Sequence, residues 1–92
     1  MLLSARSARL LQARDAYYTC VEAAGEAANQ PGAPVPPTCR EARRAYEGAC
    51  SSAWVRHFDA LRDKRLKYLQ TLQSNIAASA AVATGTLAGK EQ

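Results

Sequence analysis

Hydrophobic positions recur at helical spacing along this chain in three blocks. Residues 4–24 contain no Pro or Gly, and Leu10, Tyr17, Cys20, Val21 and Ala24 share one side of a helix, with Arg14 and Asp15 on its polar side. Gly25, followed by the polar Asn29 and Gln30, ends this block. Residues 31–37, PGAPVPP, hold four prolines in seven positions, which excludes a helix and predicts the turn. Thr38 with Glu41 three residues later is a capping-box pattern that starts a second helix just before Cys39, and Ala42, Arg43, Tyr46 and Cys50 continue one face of it. Gly48 weakens its end, and Ser51 or Ser52 can cap a third helix in which Trp54, Phe58 and Leu61 follow at spacings of four and three. Leu66, Leu69 and Leu72 prolong that stripe, so the third helix is expected from Ser52 to about Gln73. The last block, SNIAASAAVATGTLAGKEQ, is small-residue and of low complexity and reads as a tail.

Composition adds a constraint on stability. The chain has 92 residues, of which 48% are hydrophobic, but many of these are alanine and aromatic residues are few. A single all-α domain of this size must bury its surface in thin helix–helix seams, where a covalent staple becomes useful. No run of about 20 apolar residues occurs, so no membrane-spanning helix is expected.

Charge is unevenly placed. The formal net charge is +4, and residues 38–73 carry all of the excess, with eight basic and four acidic side chains. Glu41, Glu47, Asp59 and Asp63 interrupt this basic half. A solvated helical face is therefore the simplest reading, an acidic protein partner the next, and nucleic acid is not expected. The first fourteen residues, MLLSARSARLLQAR, have three arginines, two serines and no acid, the composition of a mitochondrial presequence. The expectation is an uncleaved start of helix one, with residues 1–9 as its extension, 10–73 as the domain and 74–92 as the tail.

The three cysteines give the sharpest geometry. Cys39 and Cys50 lie eleven positions apart, about three turns at roughly 3.6 residues per turn, and so share one face of the second helix. If the first two helices pack antiparallel, Cys20 and Cys39 lie nearest the proline turn, and a bond between them would close a loop of about twenty residues. Ten residues back from Cys20 is Leu10, and eleven on from Cys39 is Cys50. At about 1.5 Å per residue these two reach the same height. Three reduced core cysteines are the bland alternative. A zinc site fits less well, because the chain has no closely spaced cysteine pair.

These residues resemble a known family. The run ARDAYYTC, the C-x10-C spacing ending at Cys50 and the segment SSAWVRHFDALRD are similar to the twin-cysteine proteins of the mitochondrial intermembrane space. Within them the chain resembles cytochrome c oxidase subunit VIb and a related, copper-linked assembly factor of that oxidase. Ala13, Arg14, Asp15, Tyr17 and Cys20 match the family's first helix, and Cys39, Cys50, Trp54, Val55, Phe58, Asp59, Arg62 and Asp63 match the rest. The resemblance implies an antiparallel, disulfide-stapled helical hairpin with an extended third helix, in an oxidising compartment, the intermembrane space. Leu10 stands where the family has its first cysteine. Only the inner Cys20–Cys39 bridge is then expected, with Cys50 an unpaired thiol, and the turn is longer and richer in proline than the family's.

The remaining chemistry is sparse. Cys50 and His57 are the weak candidates for a metal pair, since thiolate and imidazole suit copper, but an exposed His in a basic helix is the commoner fact. Nothing arranges a nucleophile with a base and an orienting acid, so no enzyme and no cofactor are expected. Asp59 with Arg62 and Asp63 with Lys67 can form local pairs. Tyr17, Tyr46, Trp54, Phe58 and Tyr68 read as core or seam residues, with Trp54, Phe58, Arg62 and Arg65 on helix three as candidates for binding a partner. The function implied is a non-catalytic accessory subunit of a respiratory-chain complex, peripheral to the membrane through protein contacts. The alternatives are a soluble assembly factor for the copper site of the oxidase and a scaffold associated with the mitochondrial ribosome.

Overall fold

A computed structural model describes residues 4–81, which are all-helical, with no strand among them. Helix α1 is Ala5–Ala23, α2 is Arg40–Ala49 and α3 is Ser52–Ala81, with two 3-10 turns, Glu26–Asn29 and Pro37–Cys39, between the first two. Residues 1–3 and 82–92, which include the first residues of the presequence-like segment and the end of the tail, lie outside the described residues.

Each helix end has a local cause. Ser4 caps α1, its hydroxyl oxygen accepting from the backbone N–H of Ser7 at 3.1 Å. At the other end Gly25 turns the chain away with a φ of 107°, a conformation L side chains rarely adopt. The Asn29 amide then donates to the carbonyls of Val21 and Gly25 at 2.9 and 2.7 Å, satisfying groups that the end of a helix leaves open.

Two expectations need correcting here. Thr38 does not cap α2: the N-cap position is Cys39, and it makes no side-chain capping bond. Pro37 opens a 3-10 turn in which the Cys39 N–H is already taken by the Pro36 carbonyl at 2.9 Å, and the Thr38 hydroxyl lies beside the Cys39 sulfur instead. Helix α3 also runs eight residues beyond Gln73, to Ala81. Residues 74–81 contain four alanines and neither Pro nor Gly, so propensity carries the helix on where the amphipathic stripe fades. Ser51 does act as the cap of α3, accepting from the Trp54 N–H at 3.3 Å.

The first two helices run antiparallel. A disulfide joins Cys20 to Cys39 beside the turn, with Cα atoms 5.9 Å apart, and the Cys50 thiol meets the Leu10 carbonyl at 3.7 Å near the far end. Helix α3 then returns alongside α1 in the same direction. Leu10 lies by Trp54, the Arg14 guanidinium stacks over the Phe58 ring at 4.6 Å, and that of Arg62 over the Tyr18 ring at 5.1 Å, a constant offset of 44 positions. The core is small: Tyr17, Val21, Cys39, Tyr46, Cys50 and Val55 are buried, and Tyr46 and Cys39 completely so.

The thiol–carbonyl contact at the far end makes a prediction. Leu10→Cys should form a second bridge to Cys50 under oxidising conditions and add about 3 kcal/mol of stability in the chain-entropy model. Thiol titration of the denatured variant should then find no free cysteine, whereas two free thiols would show that the helices are not in this register.

Candidate functional site

A polar knot in the middle of the bundle seats α3. Tyr17 and Tyr18 are adjacent on α1, so their side chains diverge by about 100°. Tyr17 stacks on Tyr46 of α2 with ring centroids 5.6 Å apart, while Tyr18 turns toward α3 and donates its hydroxyl to Asp59 at 2.7 Å. The Tyr46 hydroxyl lies 3.3 Å from that same carboxylate oxygen and 3.3 Å from the Tyr18 hydroxyl. Arg43 closes the knot, reaching the other Asp59 oxygen at 3.0 Å and Glu47 at 2.7 Å. One carboxylate of α3 is thus held by side chains from both helices of the hairpin.

Asp59 and Asp63 therefore serve a purpose that local pairing did not suggest. Neither bonds the basic residue expected for it: Asp59 faces Tyr18 and Arg43, and Asp63 accepts from the backbone N–H of Gly32 at 3.2 Å. Gly32 has a φ of 74°, a conformation that L side chains rarely adopt, and in it the N–H reaches α3. Farther on, Arg62 donates to the Asn29 side chain at 2.7 Å and Gln70 bonds Gln30. Helix α3 is fastened to the turn as well as to the hairpin.

Burial tunes the knot. Desolvation pushes the Tyr46 hydroxyl up to about 12, against its hydrogen bond to Tyr18 and with the help of the Asp59 charge. Burial and the bonds to Tyr46 and Asp59 move Tyr18 upward as well. The folded chain keeps both hydroxyls protonated to a higher pH than the unfolded chain does. The Tyr46 contribution is complete below about pH 10 and is lost as the pH rises toward 12, while that of Tyr18 begins to fall from the same pH. Urea midpoints measured across this range should fall steeply above pH 10. A midpoint that stays flat from about pH 9 to 12 would show that the two hydroxyls are not held in this way.

The remaining candidates divide into buried and exposed groups. Cys50 is a free thiol, buried at the end of α2. Desolvation pushes its pKa up, opposed by the Arg14 charge. Such a group stays protonated at neutral pH and is a poor ligand or nucleophile. His57 is exposed on α3, with its ring edge-on to Trp54 at 5.4 Å. No cluster of three His, Cys, Asp or Glu side chains suited to a metal occurs among the described residues.

Of the partner-binding candidates, Phe58 and Arg62 are half-buried and lean on the hairpin, whereas Arg65 is exposed and Trp54 retains 51% of its surface. Trp54 stacks on Phe58 at 5.4 Å. Tyr68, expected in a seam, is 65% exposed, because α1 has ended before its level and only the turn lies beside that part of α3. Leu61, Leu69, Leu72 and Ile76 are exposed on the same helix. An open groove of about 480 Å³ runs between α1 and α3, walled chiefly by Arg14, Tyr18, Phe58, Leu61, Arg62 and Arg65. Sequence reading had passed over Tyr18. The signal was available in the Tyr17–Tyr18 pair, since two adjacent aromatics on a helix cannot face the same neighbour.

Residues 9–73 match the family model described as cytochrome oxidase c subunit VIb. No curated protein and no solved structure matches the chain. The match spans well over half the sequence, from just before Leu10 to the end of the expected stripe, and includes the disulfide, the knot and the Trp54–Asp59 segment. No helix among the described residues is long and apolar enough to cross a membrane. The chain belongs to the cytochrome oxidase c subunit VIb family, a mitochondrial family of oxidase subunits, in a version that keeps the inner cysteine bridge and has leucine at position 10.

Proposed function

We propose that this chain is a non-catalytic accessory subunit of cytochrome c oxidase, held on the intermembrane-space side by contacts to other subunits. The observation that carries this reading is the outward face of α3. Six large side chains, Trp54, Leu61, Tyr68, Leu69, Leu72 and Ile76, stay exposed while the polar groups behind them are bonded to the hairpin. A helix fastened on one side and apolar on the other fits a rigid adaptor that waits for a neighbour. Residues 10–73 would form the docking domain, with Trp54, Phe58, Arg62 and Arg65 at its contact surface and 74–92 as a tail. The Cys20–Cys39 bridge suits an oxidising compartment, which supports the intermembrane-space side.

The copper-linked alternative asks for a reactive thiol. Cys50 is buried, protonated and directed at a backbone carbonyl. A copper(I) titration of the oxidised protein is accordingly expected to give the same affinity for the wild type and for Cys50→Ser, and a weaker variant would favour the assembly-factor role. The subunit reading is tested by native gel electrophoresis of mitochondrial membranes with mass spectrometry of the bands. Co-migration with the oxidase is expected, and a chain found only at its free mass would sink the reading.

A further inference from the structure

Spacing and charge on α3 together specify what should cover it. Trp54, Phe58, Leu61, Arg65, Tyr68 and Leu72 follow one another at intervals of four, three, four, three and four. This is the 3.5-residue repeat by which one helix packs along another, and it spans about 27 Å at roughly 1.5 Å per residue. Leu69 and Ile76 widen the stripe on one side. Arg65 falls in its middle, exposed and without an ion pair among the described residues. Arg62 lines the same groove and adds a second positive charge.

The acids of this region are spent elsewhere, with the exception of Glu22. Asp59 and Asp63 point back at the hairpin, and Asp15 at the groove wall is already paired with Arg14 at 2.8 Å. Glu22 stands farther along that wall, toward the turn. Arg56, Lys64 and Lys67 are exposed on α3 outside the stripe. The outward side of α3 therefore presents apolar, neutral polar and basic side chains and no acid.

We propose that the outward stripe of α3, from the groove beside α1 onward past the end of α1, seats an amphipathic helix of another oxidase subunit, whose apolar seam packs on Leu61, Tyr68 and Leu72 and whose carboxylate pairs with Arg65. This rests on the accessory-subunit reading and adds to it the form and charge of the partner. A cation in the core of a helical seam selects an opposite charge across from it, because an unpaired one would be desolvated at a cost. An anionic lipid surface fits less well. Helices that lie in a membrane interface keep their cations at the margins of the apolar face, and Arg65 sits at its centre.

The experiment uses the full chain in the assembled oxidase, with photoreactive benzoylphenylalanine in place of Tyr68 or of Leu72. Both positions should cross-link to a single helical segment, at residues three or four apart, with an Asp or Glu within one turn of them. Arg65→Glu should lower incorporation into the oxidase at least ~10-fold, through like-charge repulsion, while Arg65→Lys keeps most of it and both variants melt as the wild type does. Cross-links to lipid alone, to a segment without acid or to a non-helical one would overturn the inference. So would normal incorporation of Arg65→Glu. In those cases the chain is still found in the oxidase and the subunit reading survives, whereas absence of the wild-type chain from the oxidase overturns both.

Discussion

Tyr46→Ala should cost about 3–5 kcal/mol, the range found when a buried aromatic ring is truncated, and so leave the isolated chain largely unfolded. Tyr46 has no exposed surface, and its ring is shared among the helices: Tyr17 stacks on it, Tyr18 meets it edge-on at 5.8 Å, and the Arg43 guanidinium lies over it at 5.2 Å. Its hydroxyl also contributes to the Asp59 knot. Removing the ring opens a cavity in the core and detaches α3 from α2 in one step. Tyr46→Phe separates the two effects, because it keeps the ring and loses only a hydroxyl worth about 1 kcal/mol. Urea unfolding followed through Trp54, the single tryptophan, would read both variants. An alanine variant within 1 kcal/mol of the phenylalanine variant would mean that the ring is not the centre of the core.

Loss of the staple is expected to come next in size. Cys20→Ser with Cys39→Ser opens a link between residues 19 positions apart, a loop whose closure contributes about 3 kcal/mol in the chain-entropy model. Cys39 is fully buried and also starts α2, so a serine there adds an unsatisfied polar group to a core of six residues. For a chain this small, that removes much of the net stability. Calorimetry should show the melting transition of the double variant broadened or lost. A subunit bound to its complex is stabilised by mass action, so the same variant should persist better in the assembled oxidase than alone. A double-serine variant that melts with the wild type would show the staple to be dispensable.

Much of the hairpin was legible because α-helices climb at a fixed rate. Counting heights from the turn placed Leu10 opposite Cys50, and the structure puts the thiol on the Leu10 carbonyl. The end of α1 followed from Gly25 and the start of α3 from its serines, both local signals. The return of α3 onto the hairpin was not legible. It depends on Tyr18–Asp59, Arg43–Asp59 and Gly32–Asp63, contacts between residues far apart in sequence, and local spacing had offered Arg62 and Lys67 as partners for those acids. Thr38 failed as a cap for a related reason: Pro37 had already built a tighter turn that used the N–H available. The exposure of Tyr68 was hidden as well, whereas Trp54 was already a candidate for binding a partner. Periodicity shows that apolar residues share a face, and it is silent on whether the same chain covers that face.

That face is also the most direct place to test whether the chain is a docked subunit. Hydroxyl-radical footprinting can compare the isolated protein with the protein in the purified oxidase, reading Trp54 and Tyr68 as the outward residues and Tyr46 as an internal control. Strong oxidation of Trp54 and Tyr68 is expected in the free chain, with marked protection of both in the complex and little modification of Tyr46 in either. Equal oxidation of Trp54 and Tyr68 in the two states would contradict docking through this face.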